Sequence, residues 1–167
     1  MDKMASTPQI ILIDGPAGSG KTTLSIKLQT EFQCEVIHLD NLYNGWDDAL
    51  TDNLTTKLLS LLTAFNAAQS FSLPIYNWST GQFDSERLIK PAPCLIIEGV
   101  GAGQSAIRPF ATTLYWVEVD DEIGLQRVLD RDGDAIAQQM KIWKLREAEH
   151  FAKERTREFA DFIISTA

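Results

Sequence analysis

A glycine-rich segment near the N-terminus has the residue types and spacing of a phosphate-binding loop. Residues 15–22 read GPAGSGKT and satisfy the pattern G-x-x-x-x-G-K-[ST]. In this pattern the glycines turn the chain so that successive backbone N–H groups converge on phosphate oxygens. A helix that starts at the end of the loop adds the partial positive charge of its N-terminus. The sequence therefore predicts a phosphate cradle, which we call the phosphate loop.

The phosphate loop also contains two side chains with predicted roles in nucleotide binding. Lys21 is expected to reach the β- and γ-phosphates of ATP, and the Thr22 hydroxyl is expected to ligate Mg²⁺. The predicted phosphate contacts are Gly15, Ala17, Gly18, Ser19, Gly20, Lys21, Thr22 and Thr23.

Three acidic residues follow apolar runs, where strands of a buried sheet are expected to end. Glu98 comes directly after Leu-Ile-Ile, the expected position of an acid that holds Mg²⁺ through water or binds substrate hydroxyls. Asp40 follows the run at 34–39 and faces the same predicted edge, where it either assists the metal or caps a turn with Asn41. Asp14 precedes the phosphate loop and is a second candidate for the outer shell of the metal, or it fixes the geometry of the loop.

The order of predicted elements explains how these residues come together. Apolar runs predict strands at 9–14, 34–39, 94–98, 113–119 and 162–165, and helical spacing predicts helices at 21–30, from 50 onward, at 121–129 and at 135–160. Asp47 and Asp48 suit the N-terminus of the second helix. Strands alternating with helices predict an α/β fold with a parallel sheet covered on both faces, and ligands bind at the carboxyl ends of its strands. Residues 71–84 are expected to form an ordered functional loop or a small hairpin.

Composition and charge restrict the partners of this predicted domain. The 167 residues suit a single domain, and 15 Lys and Arg against 23 Asp and Glu give a net charge of −8, which excludes a broad basic surface for nucleic acid. Residues 1–8 are polar, and the apolar run after them is too short for a signal or membrane segment, so a cytoplasmic protein is expected. Cys34 and Cys94 are interpreted as buried free thiols, and His38 and His150 as a structural and an exposed histidine.

The motifs, taken in order, resemble the uridine kinase and phosphoribulokinase group of P-loop kinases. The resemblance includes the phosphate loop, Leu-Asp-Asn-Leu-Tyr at 39–43, Ile-Glu-Gly at 97–99, and the segment from Asp120 to Asp132. It implies a single-domain P-loop NTPase with a five-stranded parallel sheet and a small lid at about 127–140. It also implies transfer of the ATP γ-phosphate to a hydroxyl of a small molecule.

The same resemblance implies roles for residues outside the phosphate loop. Asp40 takes the position of the base that accepts the proton of the attacking hydroxyl. Arg127 and Arg131 lie four residues apart, so on a helix they share a face and can approach the transferred phosphate; spacing alone would equally fit a solvated surface. Residues around the expected acceptor pocket, which suit a nucleoside or sugar-like acceptor, are Tyr43, Trp46, Tyr76, Trp78 and Glu98.

Three other functions compete with this interpretation. A nucleoside monophosphate kinase would need a basic cluster for its acceptor phosphate, yet Lys57 is the only Lys or Arg between Asp40 and Gln82. A regulatory NTP-binding protein without kinase activity is an alternative, and the Asn-Lys-x-Asp segment of GTPases is absent. The segment 101–106 fits G-x-G-x-x-[GA] of dinucleotide-binding folds, but it does not follow its strand directly, and we expect it to be a flexible loop beside the cleft.

Overall fold

A five-stranded parallel sheet forms the centre of the computed structural model, which describes residues 7–167. Six residues of the polar N-terminal segment lie outside this range. The strands of this sheet are β1 (Gln9–Asp14), β2 (Glu35–His38), β5 (Cys94–Glu98), β6 (Thr113–Glu118) and β7 (Phe162–Ser165), in the spatial order β2-β5-β1-β6-β7. An antiparallel hairpin is formed by β3 (Phe71–Asn77) and β4 (Gln82–Ile89). The helices are α1 (Lys21–Phe32), α2 (Asp52–Asn66), α3 (Asp121–Asp132), α4 (Ala137–Glu154) and α5 (Thr156–Phe159).

The buried centre of the sheet explains the continuous apolar runs of the sequence. Every residue of β5 is buried, and so is every residue of β1 after Gln9. Strands covered by helices on both faces need apolar side chains on both faces, so they lack the alternation of a half-exposed sheet. The structure confirms the predicted five-stranded parallel sheet, and residues 71–89 form the hairpin that was one of the two forms expected there.

The register of the sheet brings acidic residues to one edge. Glu98 lies opposite Ile13 of β1 on one side and opposite His38 of β2 on the other. Parallel strands end at the same edge, so the phosphate loop after β1 and the segment after β2 both begin beside Glu98.

Asp48 lies at the N-terminus of α2 as expected: Thr51 caps the helix by accepting the Asn53 N–H, and the Asp48 carboxylate accepts the Thr51 hydroxyl. Another helix prediction was wrong in detail. The long helix expected at 135–160 is interrupted because Arg155 has a φ of 54°, a left-handed conformation that ends α4 before α5 begins.

Cys34 and Cys94 form a disulfide, so the interpretation of two free thiols was wrong. Both side chains are buried as expected, at 4% and 6% exposure. Cys34 precedes β2 and Cys94 begins β5, and because these strands are neighbours their Cα atoms lie 5.0 Å apart, within the range that a disulfide requires.

We expect reduction of this disulfide to lower the free energy of unfolding by about 2–4 kcal/mol, because the bond closes a loop of 60 residues in the unfolded chain. Urea denaturation with and without dithiothreitol measures the change. A Cys34→Ala/Cys94→Ala variant is the control, and reductant should not alter its unfolding. Two titratable thiols per chain in the denatured, unreduced protein would contradict the prediction.

Within residues 7–167, none of the helices combines the length and the apolar character needed to cross a membrane.

Candidate active site

A cleft of about 1060 Å³ opens where the sheet strands end. It brings together most of the residues that the sequence predicts for phosphate, metal and acceptor binding. The predicted residues that line it are Ala17, Gly18, Gly20, Lys21, Thr22, Thr23, Asp40, Tyr43, Trp46, Trp78, Glu98, Arg127 and Arg131. Gly15, Ser19 and Tyr76 do not line it.

The phosphate loop places a buried ammonium group at the start of α1. Gly20 precedes the helix with a φ of 108°, and Lys21 folds back so that its Nζ donates to the Pro16 carbonyl at 2.8 Å. Burial lowers the Lys21 pKa, while the negative charges of Glu98 and Asp14 act to raise it. A buried cation at the helix N-terminus is suited to receive phosphate oxygens.

Close packing beneath the loop explains why Gly15 faces away from the cleft. Gly15 has a φ of 147°, and a Cβ on it would lie 2.0 Å from the Val117 carbonyl oxygen. Ser19 is fully buried, and its backbone N–H donates to the Pro16 carbonyl at 3.1 Å. These two residues shape the phosphate loop from below, so their direct contact with phosphate stays a prediction.

Asp14 anchors the phosphate loop to the glycine-rich turn at 99–104. Its carboxylate accepts N–H groups from Gly15 at 2.7 Å, Gly101 at 3.1 Å and Gly103 at 2.8 Å. Asp14 is fully buried, which favours the structural role over the outer-shell metal role. The expectation of a flexible loop at 101–106 was wrong for its first four residues, which are buried and hydrogen-bonded. The dinucleotide alternative loses support because these N–H groups already bind a carboxylate.

The pKa of Asp14 predicts a pH-dependent effect of the Asp14→Asn substitution. Burial raises this pKa from 3.8 to about 6, a shift equivalent to about 3 kcal/mol. Because the folded-state pKa is the higher one, the stability contributed by the carboxyl is full below pH 3.8 and is lost as the pH rises through about 6. The asparagine amide of the variant does not titrate, so the free energy of unfolding of the variant lacks this decrease.

We therefore expect Asp14→Asn to destabilise the protein at every pH, because a single amide oxygen cannot serve three N–H donors. The deficit should be larger at pH 4 than at pH 7.5, by up to about 3 kcal/mol. Urea denaturation of both proteins across this range measures it. A deficit that is constant with pH would contradict the assignment.

Glu98 is the centre of a hydrogen-bonded group at the base of the cleft. Its side chain is buried, and Oε1 lies 2.5 Å from His38 Nδ1 and 3.4 Å from the Thr22 hydroxyl, which donates to it. The hydrogen bond to Glu98 raises the pKa of His38. His38 is satisfied, as expected for a structural residue, but its partner is a predicted site residue, a pairing that sequence spacing did not indicate.

Asp40 lies in a short 3₁₀ turn, Leu39–Asn41, directly after β2. Its carboxylate is open to the cleft. Partial desolvation by the surrounding protein raises the pKa of Asp40, and the negative charge of Glu98 raises this pKa further. The charges of Lys21 and Arg131 act in the opposite direction. A carboxylate with a raised pKa is a stronger base than one in water, which suits proton abstraction from a hydroxyl.

The oxygen donors at this edge fit Mg²⁺. Thr22 and Glu98 present a hydroxyl and a carboxylate to the same space, with Asp40 nearby, and hard oxygen ligands are those that Mg²⁺ prefers. Among residues 7–167, no three His, Cys, Asp or Glu side chains form a preassembled metal site. Mg²⁺ in nucleotide sites retains waters and takes phosphate oxygens as ligands, so one or two protein donors suffice.

The two arginines of the predicted lid have different surroundings. Arg127 donates to the Gly18 carbonyl at 3.1 Å and to the Thr166 hydroxyl at 3.0 Å, so it contacts the backbone of the phosphate loop. Arg131 is exposed in the cleft and is paired with Asp132 at 2.7 Å. Of the two, Arg131 has the freedom to turn toward a phosphoryl group in transfer.

Aromatic side chains form one side of the cleft, which we call the aromatic wall: Tyr43, Trp46, Trp78 and Trp143. Trp46 contacts Trp78 and Trp143 at ring-centroid distances of 5.6 and 6.0 Å. The Trp78 indole N–H donates to the Asp40 carbonyl at 2.8 Å, which fixes the wall beside the candidate base. Tyr76 packs behind Trp78 at 5.0 Å, so it supports the wall without lining the cleft.

Sequence reasoning missed two residues that hold the phosphate loop. The Thr166 hydroxyl donates to the Ser19 carbonyl at 2.6 Å, and the Glu147 carboxylate accepts the Ala17 N–H at 3.1 Å. Both partners lie more than a hundred residues from the loop. No local pattern marks either of them, and only the end of an apolar strand near Thr166 gives a weak signal.

Comparisons with known proteins find a matching family, related sequences and a similar fold. Residues 11–152 match the protein family described as AAA domain. The uridine kinase of Limosilactobacillus reuteri (strain DSM 20016) is 25% identical over 94% of this chain and 83% of its own length. That of Lactobacillus johnsonii (strain CNCM I-12250 / La1 / NCC 533) is 29% identical over 75% of this chain and 68% of its own length. A solved structure of a possible uridine kinase from Bacillus stearothermophilus shares the fold, with a TM-score of 0.69 and 21% identity over 98% of this chain and 91% of that one.

Proposed function

Because the chain belongs to the AAA domain family, we propose that it is an ATP-dependent kinase that phosphorylates a hydroxyl of a small, neutral, nucleoside-like molecule. Relatives that align with most of the chain are named uridine kinases, which supports both the kinase activity and the class of acceptor. Their identity of about a quarter leaves the individual acceptor to experiment.

The observation that carries this proposal is the arrangement of the cleft. Lys21 and Thr22 lie in the same cleft as Asp40, and Asp40 is bonded through its backbone to Trp78 of the aromatic wall. The predicted phosphate site, the candidate base and a flat apolar surface therefore share one space. These three features are required for the transfer of a phosphoryl group from a nucleotide to a hydroxyl of an aromatic or sugar-like acceptor.

The reaction follows from these positions. The acceptor hydroxyl attacks the γ-phosphorus of ATP, its proton passes to the Asp40 carboxylate, and the bond to the β,γ-bridging oxygen breaks to release ADP. Lys21 stabilises the charge on the β- and γ-phosphates, and Arg131 turns from Asp132 toward the phosphoryl group. Mg²⁺, held by Thr22 and Glu98, would supply positive charge to the phosphates.

A nucleoside monophosphate kinase fits the cleft less well. Its acceptor phosphate would need cations near the aromatic wall, where the Arg146 guanidinium already donates to the Trp46 carbonyl at 2.9 Å and to the Asp47 carboxylate at 3.1 Å. Lys57, the one cation in the acceptor segment, is engaged elsewhere, because its Nζ donates to the Leu42 carbonyl at 3.3 Å and lies 3.9 Å from the centre of the Phe83 ring. An uncharged hydroxyl acceptor requires no further cation.

An acceptor screen tests the proposed function. Nucleosides, sugars and vitamin precursors are added singly to the protein with MgATP, and ADP release is measured against the rate without acceptor. We expect at least one nucleoside to raise turnover, with the nucleoside monophosphates ineffective. If no compound raises ADP release above the rate without acceptor, the regulatory NTPase becomes the better interpretation.

A further inference from the structure

Glu147 of α4 is a buried charged residue with two partners on its own helix and one partner in the phosphate loop. Its side chain is 2% exposed. One carboxylate oxygen, Oε2, accepts the Ala17 N–H at 3.1 Å and the Trp143 indole N–H at 3.0 Å. The other oxygen, Oε1, accepts the Lys144 ammonium at 2.5 Å. A single carboxylate thus joins the phosphate loop to the aromatic wall.

These two hydrogen bonds reach two different parts of the cleft lining, the phosphate loop and the aromatic wall. Ala17 belongs to the loop that receives the phosphates, and Trp143 packs against Tyr43 at 5.5 Å and Trp46 at 6.0 Å on the acceptor side. Glu147 itself does not line the cleft. It is therefore placed to act through its neighbours rather than by touching a substrate.

Packing alone does not explain a carboxylate at this position. Met140 and Trp143 already bury one face of α4 in the core. The desolvation of a buried ion pair costs free energy that can exceed the attraction between the two charges, so an apolar side chain would pack at this position as well. The carboxylate adds two directional hydrogen bonds, because one of its oxygens accepts both the Ala17 N–H and the Trp143 indole N–H and so fixes the distance between them.

We propose that Glu147 is a positioning residue that transmits nucleotide binding from the phosphate loop to the aromatic wall. This inference rests on the proposed kinase function. Phosphates draw the N–H groups of the loop toward them, and the bond from Ala17 passes the adjustment to Glu147, Trp143 and α4. The position of the aromatic wall, which receives the acceptor, then depends on whether nucleotide is bound.

Hydrogen exchange of the folded protein measures this coupling without an acceptor. Peptides covering residues 137–154 are followed by mass spectrometry with and without the non-hydrolysable analogue MgAMP-PNP at saturation. We expect the analogue to slow exchange of α4 amides by about fivefold or more in the native protein. In Glu147→Gln, which keeps the volume but loses the charge and one acceptor, the slowing should fall below about twofold even at saturating analogue.

Glu154→Gln is the matched control, since Glu154 lies on the same helix and also accepts a loop N–H, from Ser105 at 2.7 Å. It should respond to MgAMP-PNP as the native protein does. Should Glu147→Gln fail to fold, Glu147→Asp decides, because its carboxylate is withdrawn by one methylene and loses its reach to Ala17. A folded Glu147 variant with native slowing of α4 overturns the inference. A native protein that does not bind MgAMP-PNP overturns the proposed function instead.

Discussion

The Lys21→Ala variant is expected to lose phosphoryl transfer by a factor of at least about 10³, because the ammonium is the cation that the phosphate loop offers to the transferred group. MgATP binding should weaken by about tenfold, the usual cost of losing a charged hydrogen bond. Lys21 is buried, and the charges of Glu98 and Asp14 act on it, so alanine removes the positive charge that offsets these carboxylates. Acceptor-stimulated ADP release and calorimetric titration with MgAMP-PNP measure the two effects.

Lys141→Ala is the control for this variant, since Lys141 is exposed on α4 and outside the cleft. It should retain native turnover. Circular dichroism establishes that both variants are folded. Full activity in a folded Lys21→Ala protein would remove the phosphate loop as the site of transfer.

The Asp40→Asn variant separates catalysis from nucleotide binding. Asparagine keeps the shape of the side chain but cannot accept the proton of a hydroxyl, so turnover should fall by about 10²–10⁴. The backbone carbonyl that receives the Trp78 indole is unchanged, so the aromatic wall should stay in place. We expect the dissociation constant for MgAMP-PNP to change by less than about threefold, since the phosphate contacts of the loop are intact.

Asp52→Asn serves as the control for Asp40→Asn, because Asp52 is exposed at the start of α2. Its turnover should match that of the native protein. An unchanged rate in Asp40→Asn, with an acceptor that stimulates the native protein, would show that another group accepts the proton.

Local patterns predicted the parts of the site that lie on continuous segments of the chain. The phosphate loop is recognisable because its function depends on backbone turns within eight residues. The apolar runs predicted the parallel sheet because both of its faces are buried, and the sheet in turn placed Asp40 and Glu98 at one edge.

Contacts between distant segments were beyond such reasoning. The Cys34–Cys94 disulfide depends on β2 and β5 being neighbours, which the spacing of 60 residues does not reveal. The turn at 99–104 reads as flexible from its glycines, yet the buried Asp14 carboxylate fixes it. Glu147 reads as one of several acids on an amphipathic helix, and its bond to Ala17 spans 130 residues.

The fate of the γ-phosphoryl group tests the central claim most directly. The native protein is incubated with MgATP and the acceptor that most stimulates it, and mass spectrometry counts phosphorylated acceptor, ADP and inorganic phosphate. If the protein is a small-molecule kinase, one phosphorylated acceptor forms for each ADP released. ADP accompanied by an equal amount of inorganic phosphate, with no phosphorylated acceptor, would contradict the account and identify the protein as an NTPase that transfers to water.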